Sequence, residues 1–197
     1  MDHNVADPVD DPGDHLPTAS PHSNFSDVTL DSYQVPSLLL TNANRIFNKL
    51  DELSILLKSK CFDIVAITET WLSDDIPDSV VHVNEYSVFR QDRNGAIGGG
   101  VMCYISKNIF SRVLHLETRN YLNFEILWLL VRPMLLSRPL SIVIVAVLYC
   151  PPWYNADLCS KLSRYLVSCV DELYRKYNHP CFLIVGDFNS LDCKLCN

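Results

Sequence analysis

The sequence predicts a layered α/β sandwich. Three observations carry that expectation. Apolar strand-like runs and helix-like stretches follow one another as strand, helix, strand, several strands, helix, strand. Two stretches space their apolar residues along one face of a helix. The middle of the chain holds too many consecutive strands for a simple doubly wound fold, so helices covering a sheet or sheets fit better.

The elements follow in order. Residues 1–34 are rich in Asp, Pro, His and Ser and poor in large apolar groups. Such a composition cannot bury enough surface to offset the entropy of ordering, so a disordered acidic leader is expected, with the folded domain spanning 35–197. Residues 37–41 form a short apolar run, read as a strand. Ile46, Leu50, Leu53 and Leu57 recur at spacings of four, three and four, which makes one helical stripe that Asn42 or Asn44 could cap. Residues 62–68 read as a fully apolar strand ending at Glu69, and 86–91 as another strand. Gly98-Gly99-Gly100 leads into a strand over 101–105. Residues 112–117 alternate polar and apolar, and 124–131 and 140–149 are long strands. Leu158, Leu162, Tyr165, Cys169 and Leu173 sit at helical spacing, so 157–177 is an amphipathic helix. Residues 181–185 are the last strand.

Composition narrows the class. The 197 residues are 48% hydrophobic and 20% charged, which suits a globular chain with a sizeable core. The net charge of −7 is uneven. Residues 1–34 hold seven Asp and no Lys or Arg, so the remainder is balanced. Neither part has the strongly basic make-up of many nucleic-acid binders. The N-terminus has no basic-then-apolar signal pattern, which points to an intracellular, nuclear or cytoplasmic protein rather than a secreted one. The stretch 126–150 is apolar, yet Arg132, Pro133, Arg138 and Pro139 interrupt it. Charges there are costly in a bilayer, so it reads as two buried strands and not a membrane span. Eight cysteines scatter through apolar segments and read as reduced core residues, with no disulfide-linked partner. Cys193 and Cys196 have C-x-x-C spacing but lack the second pair of a zinc site.

Several polar residues stand at the ends of apolar strands: Asn42, Glu69, Tyr149, and Asp187 with Asn189. Strand ends along one edge of a sheet gather side chains from distant parts of the chain into one cleft. Carboxylate and amide oxygens suit a hard divalent cation, and amide and hydroxyl groups can donate to phosphate. Singly, each has an ordinary reading: a helix cap, a rim aromatic, a solvated carboxylate. Together they suggest phosphoryl-transfer chemistry.

The strings Thr41-Asn42-Ala43-Asn44, Ile67-Thr68-Glu69-Thr70-Trp71-Leu72, Arg90-Gln91-Asp92-Arg93 before the triple glycine, Tyr149-Cys150-Pro151-Pro152, and Gly186-Asp187-Phe188-Asn189 occur in a familiar order. The chain resembles the endonuclease/exonuclease/phosphatase superfamily over about 36–192. Within it, the chain resembles the apurinic-type endonuclease domain of LINE-type (non-LTR) retrotransposon polyproteins. That resemblance implies DNA as partner and Mg²⁺ (or Mn²⁺) as cofactor. Glu69 would ligate the metal, with Asn42 orienting the metal site or the scissile phosphate. Asp187 would orient or deprotonate the attacking water, and Asn189 and Tyr149 would hydrogen-bond the phosphate. Two departures stand out. Asn44 occupies a position where related enzymes often have Asp. The Ser-Asp-His-type ending of the family has no counterpart here, so a C-terminally truncated, incomplete sandwich with impaired catalysis is expected. A phosphoesterase acting on a non-DNA substrate and a non-catalytic interaction protein retaining the scaffold are the competing readings.

The other features read more plainly. The triple glycine lacks a following G-K-[ST], so it suggests a strand entrance or bulge and not a phosphate loop. Arg90 and Arg93 could touch a DNA backbone or simply face solvent. Trp71 reads as a packing residue, His179 as a loop residue and His115 as a surface residue. The sequence does not set an oligomeric state.

Overall fold

The computed structural model describes residues 36–59, 61–93, 95–116, 122, 124–134 and 142–189. The acidic leader and the Cys193/Cys196 pair lie outside the described residues. Among those residues the chain forms two four-stranded sheets. The first contains β1 (Leu38–Asn42), β2 (Ile64–Thr68), β3 (Tyr86–Gln91) and β4 (Val101–Ser106), in the order β1-β2-β4-β3. The second contains β5 (Phe110–His115), β6 (Glu125–Pro133), β7 (Val143–Tyr149) and β8 (Cys181–Asp187), in sequence order. Two helices, α1 (Leu50–Lys58) and α2 (Ala156–Lys176), complete it.

Each sheet is built the same way. One strand–helix–strand unit supplies a parallel pair, β1 with β2 through α1 and β7 with β8 through α2. Parallel neighbours need such a crossover because a tight turn can only join antiparallel strands. The remaining pairings, β2 with β4, β4 with β3, β5 with β6 and β6 with β7, are antiparallel.

Strand alternation then sorts the buried apolar strand residues into layers. Between the sheets lie Ile64, Ala66, Val101, Cys103 and Ile105 from the first, packed against Leu127, Leu129, Val131, Val143, Val145 and Val147 from the second. The opposite face of the first sheet packs Val65, Ile67, Met102 and Tyr104 against Ile46, Leu53 and Leu57. The opposite face of the second packs Trp128, Leu130, Ile144, Ala146 and Leu148 against Cys159, Leu162, Cys169 and Leu173 of α2. The layers therefore run helix, sheet, sheet, helix, and the expected α/β sandwich is the observed fold. The stretch 126–150 is indeed two strands, and no described helix is long and apolar enough to cross a membrane.

Local differences from the sequence reading have local causes. Neither Asn42 nor Asn44 caps α1. Asn44 and Arg45 turn through left-handed backbone (φ 42° and 74°), and a 3-10 turn over Ile46–Lys49 then feeds the helix. Asn155 caps α2, its Oδ1 accepting from the Leu158 backbone N–H at 2.9 Å. Its buried face turns slightly from the expected stripe, because Cys159 rather than Leu158 faces the sheet. The fifth strand starts at Phe110 and not at 112, and β8 runs on to Asp187 rather than stopping at 185. Gly186 explains that extension. Its φ is +154°, and a Cβ there would run into the carbonyl oxygen of Leu148 on the parallel neighbour. Glycine alone lets β8 stay against β7 up to its final carboxylate.

Replacing Gly186 therefore forces the strands apart at their ends. Gly186→Ala is expected to destabilise the chain by at least about 2 kcal/mol, read from the midpoint of urea unfolding.

Candidate functional site

The two parallel pairs bring four strand ends to one place. Asn42 and Thr68 are register partners at the ends of β1 and β2, and Tyr149 and Asp187 are partners at the ends of β7 and β8. Asn42, Tyr149 and Asp187 are last strand residues and Glu69 is one past. Ligands of α/β sheets settle outside the carboxyl ends of parallel strands, and here two such sets of ends adjoin.

Side-chain bonds join them. Asn42 Nδ2 donates to Glu69 Oε1 at 3.1 Å and to Asp187 Oδ2 at 3.0 Å. One amide thus holds two carboxylates that would otherwise repel. Asn42 Oδ1 accepts from the backbone N–H of Asn44 at 3.0 Å, which fixes which way the amide faces. The Tyr149 hydroxyl donates to Glu69 as well. Tyr149 is buried, and desolvation first, then the Glu69 bond and charge, push its hydroxyl well above the ordinary value, while Arg93 opposes the shift. Asn189 Nδ2 donates to the Cys150 carbonyl at 3.0 Å, and its backbone N–H to Asp187 Oδ1 at 3.2 Å. The Asp187 carbonyl in turn accepts from the Cys150 N–H at 2.8 Å. The structure therefore brings Asn42, Glu69, Tyr149, Asp187 and Asn189 to one mouth.

The backbone around Glu69 is held in an unusual shape. Glu69 and Trp71 have φ of 52° and 57°. Left-handed backbone at a residue with a Cβ costs about 1–2 kcal/mol, so neighbours must enforce it. They do so from both sides. Arg45 N donates to the Glu69 carbonyl at 3.0 Å, and Trp71 N to the Gly99 carbonyl at 2.9 Å.

A buried ion pair stands behind the mouth. Glu125, 5% exposed, begins β6 opposite Tyr149. Arg93 donates to Glu125 Oε1 from Nε at 2.8 Å and from Nη2 at 2.6 Å, and the Gly100 N–H donates to Oε2. The triple glycine is the entrance to β4, as expected, and the pair gives it a further purpose. A Cβ at Gly99 would collide with both the Arg93 guanidinium and the Glu125 carboxylate. Sequence reasoning missed Glu125 entirely. Its one signal was a charged residue opening a long apolar strand. The solvent-facing alternative for Arg90 and Arg93 is also corrected. Arg90 pairs with Asp78 and Asp92, each at 3.2 Å, and donates to the Ser73 and Ile76 carbonyls, so it staples a loop to β3.

The remaining expectations fall elsewhere. Trp71 is half-buried with the Arg45 guanidinium 4.9 Å from its ring centroid. His115 is exposed, and His179 sits edge-on to Tyr174 in the turn before β8. Cys103, Cys150, Cys159 and Cys169 are buried thiols.

The donor set, two carboxylates, suits a hard divalent cation better than a softer metal. Glu69 and Asp187 offer carboxylate oxygens, and among the described residues no group of three or more His, Cys, Asp or Glu could enclose an ion. Mg²⁺ is characteristically held by one or two carboxylates, completing its shell with water and substrate phosphate.

Comparison with solved structures agrees on the fold. The chain is similar to the AP endonuclease LMAP from Leishmania major, with TM-score 0.61 and 14% identity over 77% of this chain and 54% of that one. It is similar to an AP endonuclease from Archaeoglobus fulgidus, with TM-score 0.53 and 17% identity, over 79% of this chain and 58% of that one. A 3′ phosphatase, NExo from Neisseria, solved with product DNA hairpin, matches with TM-score 0.54 and 14% identity, over 79% and 58%. The chain thus spans little more than half the length of these proteins. No protein-family model and no curated protein sequence matches it.

Two outcomes follow from the buried charge and the buried thiols. Glu125→Ala leaves the Arg93 guanidinium and the Gly100 N–H without their acceptor, and is expected to cost about 3–5 kcal/mol in urea unfolding. Burial first, then Cys159, pushes the Cys150 thiol from its ordinary 9.0 up to about 12. The folded chain thus favours the protonated thiol. That stability is complete below pH 9 and is lost as pH rises through about 12. Cys150→Ala should flatten this alkaline decline in unfolding midpoints measured across that range.

Proposed function

We propose that this chain carries a Mg²⁺-dependent phosphodiesterase site of the DNA-endonuclease kind, from the LINE-type retrotransposon branch. The observation that carries the reading is the Asn42 amide bridging Glu69 and Asp187, the latter 145 residues further along the chain, at the mouth where β1 and β8 meet. The branch is supported by the Ile67-Thr68-Glu69-Thr70-Trp71-Leu72 string and by Arg93 ahead of the triple glycine.

Glu69, with Asp187 beside it, would hold the ion, which supplies charge stabilisation for the scissile phosphate. Asp187 orients a water and takes its proton, because its carboxylate stands at the mouth and its second oxygen is fixed by the Asn189 N–H. The Tyr149 hydroxyl stays protonated through neutral pH, and on substrate binding it would turn its one proton from Glu69 to a phosphate oxygen. Asn189, at the turn after β8, presents an amide to the same group. Asn42 keeps the two carboxylates in register before substrate arrives.

Among the described residues the leaving-group side is less well supplied. His82, His115 and His179 all stand away from this mouth, on the outer face of the first sheet, at the end of β5 and in the turn after α2. We therefore propose that the 197-residue chain turns over slowly. A phosphatase reading on the same site deserves a parallel assay, because the similar structures include a 3′ phosphatase.

The purified chain should nick supercoiled plasmid slowly and only with Mg²⁺ or Mn²⁺. Glu69→Ala and Asp187→Ala should each reduce that rate at least about 100-fold. Nicking that survives both substitutions would overturn the site assignment. Fast nicking that Glu69→Ala abolishes would overturn the slow turnover alone.

A further inference from the structure

The loop after β7 presents a side chain that neither the core nor the reaction uses. Trp153 is 63% exposed. Single apolar residues on a surface are ordinary, so exposure alone marks nothing. Its surroundings add three features. The first is place: Trp153 lies four residues beyond Tyr149, on the loop that leaves the mouth. The second is backing: the Arg93 guanidinium lies 5.1 Å from the Trp153 ring centroid and 5.8 Å from that of Tyr149. The third is rigidity: Glu125 grips Arg93 through both Nε and Nη2, and the Gly100 N–H holds Glu125.

These distances bound the geometry. With one guanidinium serving both rings, the centroids are no more than about 11 Å apart. That equals about three base steps at about 3.4 Å each. A cation over one indole face leaves the other free for a second flat partner. Trp71, the other indole with an arginine over it, is half-buried and its Nε1 is enclosed, so it packs instead.

We propose that Trp153, backed by Arg93, is a nucleobase-stacking platform, so that the site takes an unpaired or extruded nucleotide within about three steps of the scissile phosphate. This rests on the phosphodiesterase reading above. A stacking face accepts any base, and a base must leave its duplex stack before it can offer a face. The platform therefore favours nucleic acid over small phosphoesters, and single-stranded or locally opened strands over intact duplex.

The test titrates the 197-residue chain, in Ca²⁺ to hold back cleavage, with two probes of equal length. One is a single-stranded DNA oligonucleotide and the other an abasic sugar–phosphate strand. The wild-type chain should bind the base-bearing strand about 5- to 150-fold more tightly. Trp153→Ala should bring that ratio close to one, and Trp153→Phe should keep most of it. Because Trp153 is exposed, both variants should retain the wild-type circular dichroism. If Trp153→Ala keeps the full ratio, the platform is wrong and the phosphodiester site stands. If the wild-type chain binds neither probe, the phosphodiester reading fails and the platform with it.

Discussion

Strands β2 and β7 have no wet face, and much of the molecule follows from that. Each is buried at every position, between the opposing sheet on one side and a helical layer on the other. Two fully covered central strands leave little room for polar chemistry along their length, since an unpaired polar group there costs several kcal/mol. Polar side chains are displaced to the strand ends. Parallel pairing in both sheets puts four of those ends together, which gives the mouth its position. The arrangement of layers thus selects where a site can exist before any particular residue is considered.

Charge at that mouth is balanced rather than uniform. Glu69 and Asp187 carry the negative side, and the Asn42 amide and Tyr149 hydroxyl moderate it without neutralising it. Arg93 is close by, yet its charge is committed to Glu125. A divalent ion bound there would meet oxygen donors that are already oriented, with the nearby guanidinium held away by Glu125. Ordered donors facing developing charge are worth more than mobile ones, because they need little rearrangement during reaction.

Much of this was legible in the chain itself. The layered α/β class follows from periodicity, and the residues gathered at the mouth read in the sequence as polar groups at apolar strand ends. What remained hidden shares one cause: register. Glu125 looks like a solvated residue at a strand start until β6 is aligned with β7, which sets it opposite Tyr149. Arg93 looks like a surface cation until a partner 32 residues away closes on it. Gly186 looks like a strand terminator until the Leu148 carbonyl is seen beside it. Spacing along a chain reveals faces, whereas pairing between distant strands has to be seen.

The reach of the Asn42 bridge has a consequence in time. Its two ends belong to the first and last strands described, 145 residues apart. Contacts of that separation form late, because the entropy of closing a long loop must be met before they contribute. Either sheet could begin to pair from its own local strands, but neither alone would hold both carboxylates. During synthesis the chain would emerge with Glu69 exposed and without Asp187 until β8 follows. A cluster divided in this way is incomplete in every partial fold, and its assembly reports that the two halves have met.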